Sequence, residues 1–308
     1  MILNHTAGTS GIAQSTGKMP PLLCVPKTAT LSHAARSRLL FRRGEPLLVA
    51  DWDRALMLHF EVDAKRLQQA VPFELDLWDR THAFVSVVAF TLHGMRLRAG
   101  GWLGAWLLKP LATHEFLNVR TYVLNGEERG IHFLAEWLPN PLAVLFGPIT
   151  FGLPYRLGRL EYRHRHESGD IRGIVEDARS GASLQYAARL ADDACFAPCH
   201  AGSLDEWLME RYTAFNAAQG RRRFFRVWHE PWPQTRAESH LEDGSLLTEH
   251  WPFFHNAQLV GSNYSPGVRG VWMGRPHRIR EKLAAERKPY ELRHRRTAQA
   301  SLASSKGF

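Results

Sequence analysis

Lysine is almost missing from the middle of this chain: between residues 28 and 281 only Lys65 and Lys109 occur. Chemistry at a neutral amine therefore has two candidates, and both read as surface residues. Cysteine is scarce as well. Cys24, Cys195 and Cys199 form a small, odd set, which excludes a disulfide framework and fits reduced thiols in a cytoplasmic setting. Acidic residues are absent from residues 1–44, which carry six basic ones. That composition resembles a transit peptide, but a flexible leader is the commoner cause, and the lack of an apolar h-region argues against a secretory signal. No uninterrupted apolar run can span a membrane. The longest, residues 138–155, is broken by Pro139, Pro141, Pro148 and Pro154 and reads as core and loop.

What is present is a globular chain of 308 residues with 44% hydrophobic content, enough for a sizeable core. Its formal charge of +9 sits at the ends: residues 1–44 and 274–308 together hold +13, which leaves the body at about −4. A mildly acidic body is not a nucleic-acid module, and basic tails attract phosphate without specificity. The expected organisation is a flexible N-terminal extension over 1–46, a single folded domain over 47–275 and a basic C-terminal tail over 276–308.

Along the chain, residues 32–40 suggest a short helix, and residues 55–62 alternate Leu56, Leu58, Phe60 and Val62 on one parity as a strand would. Asp63 reads as the N-cap of a helix over 64–70 that Pro72 stops. Residues 82–90 read as a strand buried on both faces. Residues 96–111, with Trp102, Trp106 and Gly100-Gly101, show no period and read as a loop or broken hairpin over a cavity, or as ordinary tryptophan packing. A short helix is expected over 141–151. Short segments at 158–166, 173–178, 182–190 and 195–199 are spaced like a meandering sheet. The capping box Ser203/Glu206 opens a helix carrying Leu204, Trp207, Leu208, Tyr212 and Phe215, and strands are expected at 223–230, 251–259 and 268–272. This predicts a β-rich α+β fold, an antiparallel sheet closed or nearly closed around a pocket, with a few peripheral helices.

The most informative stretch is 114–123, where polar groups interrupt a buried strand. Strand periodicity puts Asn118, Arg120 and Tyr122 on one face and Leu117, Val119, Thr121 and Val123 on the other. An arginine flanked by an amide and a phenol offers donors suited to a carboxylate; an internal ion pair is the bland alternative. Glu115 has the opposite parity and reaches the same cavity only if a bulge intervenes. Asn125-Gly126 marks a hairpin turn. On the returning strand Ile131, Phe133, Ala135 and Trp137 share one face, with His132 and Glu136 on the other, near the Asn/Arg/Tyr strand. Cys195-x-x-x-Cys199-His200, even with His164 or His166, matches no common zinc spacing, so two buried structural cysteines are the simpler reading and no metal is assigned. No Gly-rich phosphate loop follows a strand.

Several dispersed motifs then carry a resemblance over roughly residues 50–273. Glu115-x-x-Asn118-Val119-Arg120-Thr121-Tyr122-Val123, Leu153-Pro154-Tyr155, Glu210-Arg211-Tyr212, His229-x-Pro231-Trp232 and Tyr264-Ser265-Pro266-Gly267 resemble the YqjF-like, or DUF2071, family of the acetoacetate decarboxylase-like superfamily. The resemblance implies a cone-like β-barrel around a deep, mostly apolar cavity. Decarboxylases of that superfamily use a lysine in a Gly-x-Pro-Lys-Lys turn to form an imine with a β-keto acid. The matching turn here is Gly152-Leu153-Pro154-Tyr155-Arg156, and a phenol donates hydrogen bonds or moves protons but forms no imine.

The resemblance implies that Glu115 faces the cavity and that Tyr155 lies nearest the chemical centre. The expectation is thus a protein that binds an organic acid or keto compound, with Glu115 and Tyr155 as catalytic candidates and Asn118, Arg120, Tyr122 and His132 as ligand-binding candidates. It needs no cofactor, and its chemistry is of a lyase or proton-transfer type. A non-catalytic binding or scaffold protein, and a lysine-dependent decarboxylase using Lys109, are the alternatives. No specific nucleic-acid partner and no membrane span are expected, and a homo-oligomer is left open.

Overall fold

The computed structural model describes residues 27–218 and 220–279. Residues 1–26 and 280–308, which hold most of the expected leader and tail, lie outside the described residues. The first element, α1 (Lys27–Leu40), is longer than its sequence pattern suggested. Ala35 and Leu39 are buried with Tyr212 and Trp228, and Ser32 donates to the His229 carbonyl at 2.7 Å. This contact packs α1 against the chain around Trp228 and His229.

Next come β1 (Leu48–Val62), α2 (Ala64–Ala70), β2 (Glu74–Leu75) and β3 (Ala83–Leu97). Asp63 caps α2 by accepting from the Arg66 amide at 2.8 Å, which satisfies an N–H that the first turn leaves free. Then follow α3 (Gly101–Leu108), the hairpin β4 (His114–Asn125) and β5 (Glu128–Leu138), and α4 (Pro141–Thr150). The meander β6 (Tyr155–Arg165), β7 (Asp170–Asp177) and β8 (Ser183–Leu190) precedes α5 (Leu204–Met209), β9 (Thr213–Ala218) and β10 (Arg221–Trp228). The described chain ends with β11 (Thr235–Asp243), α6 (Ser245–His250), β12 (Gln258–Met273) and β13 (His277–Arg278).

The architecture is mostly sheet with few helices, as the sequence suggests. At its centre β12, β1, β3, β4 and β5 pair antiparallel in that order. The strands β6, β7, β8 and β11 connect the two edges of this centre on one side, and β9 and β10 connect them on the other. The result is ring-like: two closed circuits share five strands. The expectation of an antiparallel sheet needs correction, because β5 runs parallel to both β6 and β9. A parallel partner requires a crossover, and α4 supplies it between β5 and β6.

Because the central sheet is covered on both sides, its strands are apolar on both faces. Leu56, Leu58, Val119 and Trp137 fill the core beneath the β6–β8 meander. Met57, Val88, Tyr122 and Ile131 fill a second core beneath β9 and β10.

Three local expectations fail for tertiary reasons. Ser203 does cap α5, but the helix stops at Met209. Beyond it the Arg211 guanidinium bonds Asp76 and the Trp207 carbonyl, both at 2.7 Å, and Phe215 joins β9. The stretch expected as a strand at 251–259 begins as the 3-10 turn Pro252–Asn256, and β12 starts only at Gln258. Residues 195–199 make a single bridge, Ala197 to Gln234, rather than a strand. Of the two cysteines there, Cys199 is buried against Met209 whereas Cys195 is exposed.

Candidate functional site

The second core is not solid. It encloses a cavity of about 500 Å³ between the central sheet, β10, α3 and α4. Most of its wall is aromatic and aliphatic, including Phe90, Phe116, Phe133 and Val227. Its polar groups are few and converge: Asn118, Arg120, Glu136, Tyr155 and His114 from neighbouring strands, and Arg211 and His229 from across the space.

A single extra residue in β5 decides which carboxylate enters this set. Val119 pairs with Ala135 but Arg120 pairs with Phe133, so Leu134 is a bulge without a partner. A bulge inverts the alternation of side chains beyond it. Ile131 and Phe133 face the cavity before it and Glu136 faces the cavity after it. His132 is left on the opposite face, where its Nδ1 meets the Phe215 carbonyl at 2.8 Å and its ring packs on Phe73.

Of the residues singled out from the sequence, Asn118, Arg120 and Tyr155 line the cavity together. Glu115, Tyr122 and His132 do not. Glu115 lies on the far face of β4, where its charge acts on Tyr162. Tyr122 is packed into the core, with its hydroxyl 2.5 Å from Ser86 Oγ and donating to the Leu208 carbonyl at 3.0 Å. The bulge that would have brought Glu115 round occurs in the partner strand instead, and it delivers Glu136. Lys109 is exposed, and among the described residues no lysine lines the cavity.

Arg120 is buried, and among the described residues no carboxylate lies within 4 Å of it. Its Nε has no hydrogen-bond partner, Nη2 reaches the Met57 sulfur at 3.8 Å, and the guanidinium also acts on the Tyr122 phenol. The other cavity arginine differs: Arg211 is held by Asp76 at 2.7 Å and stacks over Trp207 at 4.3 Å. An uncompensated buried cation is costly.

The two carboxyls that feel its charge are both shifted toward the neutral acid. Burial pushes Glu136 up to about 8 against the pull of Arg120, and burial likewise pushes Glu210 up to about 7. One oxygen of Glu136 and the Asn118 carbonyl oxygen have no partner. Tyr155 is next to Glu136 in the parallel register, and burial, then Glu136, raises its phenol well above the ordinary range. It stays a donor. Gly147 makes room for it, since a Cβ there would stand 2.3 Å from the Tyr155 ring. Burial lowers His114 and His229 to about 4 each, so both rings are neutral.

The raised Glu136 couples folding to pH. An acid whose pKa is higher in the folded state costs nothing below its unfolded value near 4.5, and the cost grows until the pH passes the folded value. Glu136→Gln is therefore expected to gain stability over wild type as pH rises from 5 to about 8, with a constant difference above that. Urea denaturation of both proteins across this window checks it, and parallel curves would count against a buried, titrating Glu136.

Residues 49–269 match the model of DUF2071, described as an uncharacterized conserved protein. The chain belongs to the DUF2071 family. A curated relative is the uncharacterized protein YqjF of Bacillus subtilis (strain 168), 27% identical over 216 residues, or 67% of this chain and 86% of YqjF. Among solved structures, an acetoacetate decarboxylase-like enzyme from Sphingomonas wittichii RW1 superposes with a TM-score of 0.52 at 17% identity, over 77% of this chain and 94% of that one. The acetoacetate decarboxylase of Legionella pneumophila superposes with a TM-score of 0.51 at 12% identity, over 77% and 89%. At these identities the likeness is one of fold.

The site residues that sequence reasoning missed were within reach of it. Arg211, His229 and Trp232 all line the cavity, and all three sit in the dispersed motifs that carried the family resemblance. Glu136 carried no such signal, because only the bulge turns it inward.

Proposed function

We propose that this DUF2071 protein binds a small organic acid or keto compound with its carboxylate on Arg120 and moves a proton at the carbon beside the carbonyl. The observation that carries this reading is the buried Arg120 guanidinium, unpaired by any described carboxylate, in an otherwise apolar cavity. A planar guanidinium matches a carboxylate in two parallel hydrogen bonds, and the apolar wall strengthens the pair by excluding water. We read the circuit of β10, β9, β5, β4, β3, β1 and β12 around the cavity as the cone-like barrel that the resemblance implies.

In this reading Asn118 orients the bound acid. Glu136, pushed up to about 8, exchanges a proton in either direction near neutral pH, where a general acid–base group works best. Tyr155 donates a hydrogen bond to the carbonyl oxygen as negative charge builds on it. The substrate loses a C–H proton to Glu136, becomes an enolate held by Tyr155, and takes the proton back at carbon or oxygen. Glu136 thus replaces Glu115 in the catalytic role, and no amine is required.

The test is deuterium incorporation from D2O beside the keto group of pyruvate, 2-oxobutyrate and acetoacetate, followed by proton NMR. Wild type is expected to accelerate exchange for at least one of them. Tyr155→Phe should lower the rate by roughly 10²–10³-fold, the effect of removing one oxyanion donor, and Glu136→Gln should abolish it. Exchange at the buffer rate while a keto acid is bound would instead make this a non-catalytic binding protein.

A further inference from the structure

Two helices at the cavity mouth expose the residues a soluble protein ordinarily hides. On α3, Trp102 is 80% and Trp106 65% exposed, with Leu103 and Leu107 beside them. On α4, Ile149 is 67% exposed, together with Leu142, Leu145 and Phe146. The helices are tied to each other: the Asn140 amide that caps α4 donates to the Pro110 carbonyl just beyond α3 at 2.6 Å. Leu107 and Phe146 belong both to this outer surface and to the cavity wall. The apolar patch and the cavity are therefore continuous. Contiguous exposed apolar surface on this scale marks an interaction site.

Charge identifies the occupant. Residues 95–113 contain no acidic residue and carry Arg96, Arg98 and Lys109 on either side of α3, and residues 137–155, which include α4, contain no charged residue at all. Arg223 adds a cation at the end of α4, donating to the Ile149 and Thr150 carbonyls at 3.4 and 3.1 Å. Exposed tryptophans and leucines flanked by arginine and lysine fit the interface of an anionic bilayer, where indoles sit at headgroup depth and cations meet lipid phosphates. A polar or acidic protein partner would meet the cations but leave the exposed tryptophans and leucines uncovered. Among the described residues no helix is long and apolar enough to cross a membrane, so the contact is peripheral.

We propose that α3 and α4 dock the cavity mouth onto an anionic phospholipid surface, so that the cavity fills from the bilayer interface. Its ligand class, resting on the proposed carboxylate site at Arg120, is then an amphiphilic acid whose apolar part follows Leu107 and Phe146 inward. The docking rests on the outer surface alone and is independent of the chemistry proposed for Arg120 and Glu136.

The experiment is co-sedimentation of the full chain with phosphatidylcholine vesicles, with and without about 30% phosphatidylglycerol. Wild type is expected to bind the anionic vesicles, and Trp102→Ser/Trp106→Ser to bind about tenfold or more weakly. Leu145→Ser/Ile149→Ser on the second helix should do the same, with circular dichroism showing both variants folded. Arg120→Met should sediment like wild type, which separates docking from ligand binding. Equal sedimentation of the tryptophan variant would assign the attraction to the basic ends and overturn the proposal. So would a wild-type dimer that the tryptophan changes convert to monomer, because the patch would then be an interface between copies.

Discussion

Replacing Arg120 with methionine is expected to raise the thermal stability of the ligand-free protein while removing its response to organic anions. The two effects share one cause. The guanidinium is buried, its Nε has no partner, and no described carboxylate lies within 4 Å, so the native state carries the desolvation cost of a charge without the compensating pair. Exchanging buried ionic groups for apolar ones of similar volume commonly stabilises by roughly 1–4 kcal/mol, and the Met57 sulfur at 3.8 Å is an apolar neighbour ready to pack against the new side chain. Losing one side of a desolvated charge pair weakens binding by roughly 2–5 kcal/mol, or about thirtyfold to a few thousandfold. Thermal melts of both proteins with and without a keto acid check both halves. A destabilised Arg120→Met would mean that the arginine is a structural member of the core.

Asp76→Ala is expected to produce the opposite result, a large loss of stability, at the other cavity arginine. Asp76 accepts from Arg211 Nη1 at 2.7 Å and from Arg129 at 2.9 and 3.0 Å. Arg211 is buried, its pKa is lowered to about 10 by burial although Asp76 pulls it up, and its guanidinium lies over Trp207 and Tyr122. Removing the carboxylate strands this cation, which costs about 3–5 kcal/mol for a buried pair broken on one side. Urea denaturation should show a lower midpoint with an unchanged slope. Adding Arg211→Met to Asp76→Ala should recover part of the loss, since an apolar replacement no longer leaves a charge behind. A loss below about 1 kcal/mol, the range of surface ion pairs, would show that Arg129 and solvent dominate the environment of Asp76.

The contrast between these arginines shows how much the sequence made legible. The face shared by Asn118, Arg120 and Tyr122 follows from strand period alone, and the Tyr155 turn was visible as a family motif without its lysine. What period cannot supply is the Leu134 bulge, which turns Glu136 onto the Arg120 face while leaving His132 on the other. Nor does local pattern reveal that Asp76, 135 residues from Arg211, neutralises one cavity cation while nothing described neutralises the other. Helix α5 failed for a similar reason: its spacing favoured a continuation that Arg211 and Phe215 gave up for longer-range partners. Helix α3 is apolar on every side and opens with Gly100-Gly101, so it lacks the polar stripe by which a surface helix is recognised.

The most direct test of the central claim is a calorimetric titration of the wild-type protein with a short 2-oxo acid and with its uncharged methyl ester. The acid is expected to bind, and the ester, matched in shape but without the anion that Arg120 needs, to bind far more weakly. Equal binding of the two, or binding of the ester alone, would contradict an anion site at Arg120 and leave the cavity to a neutral ligand.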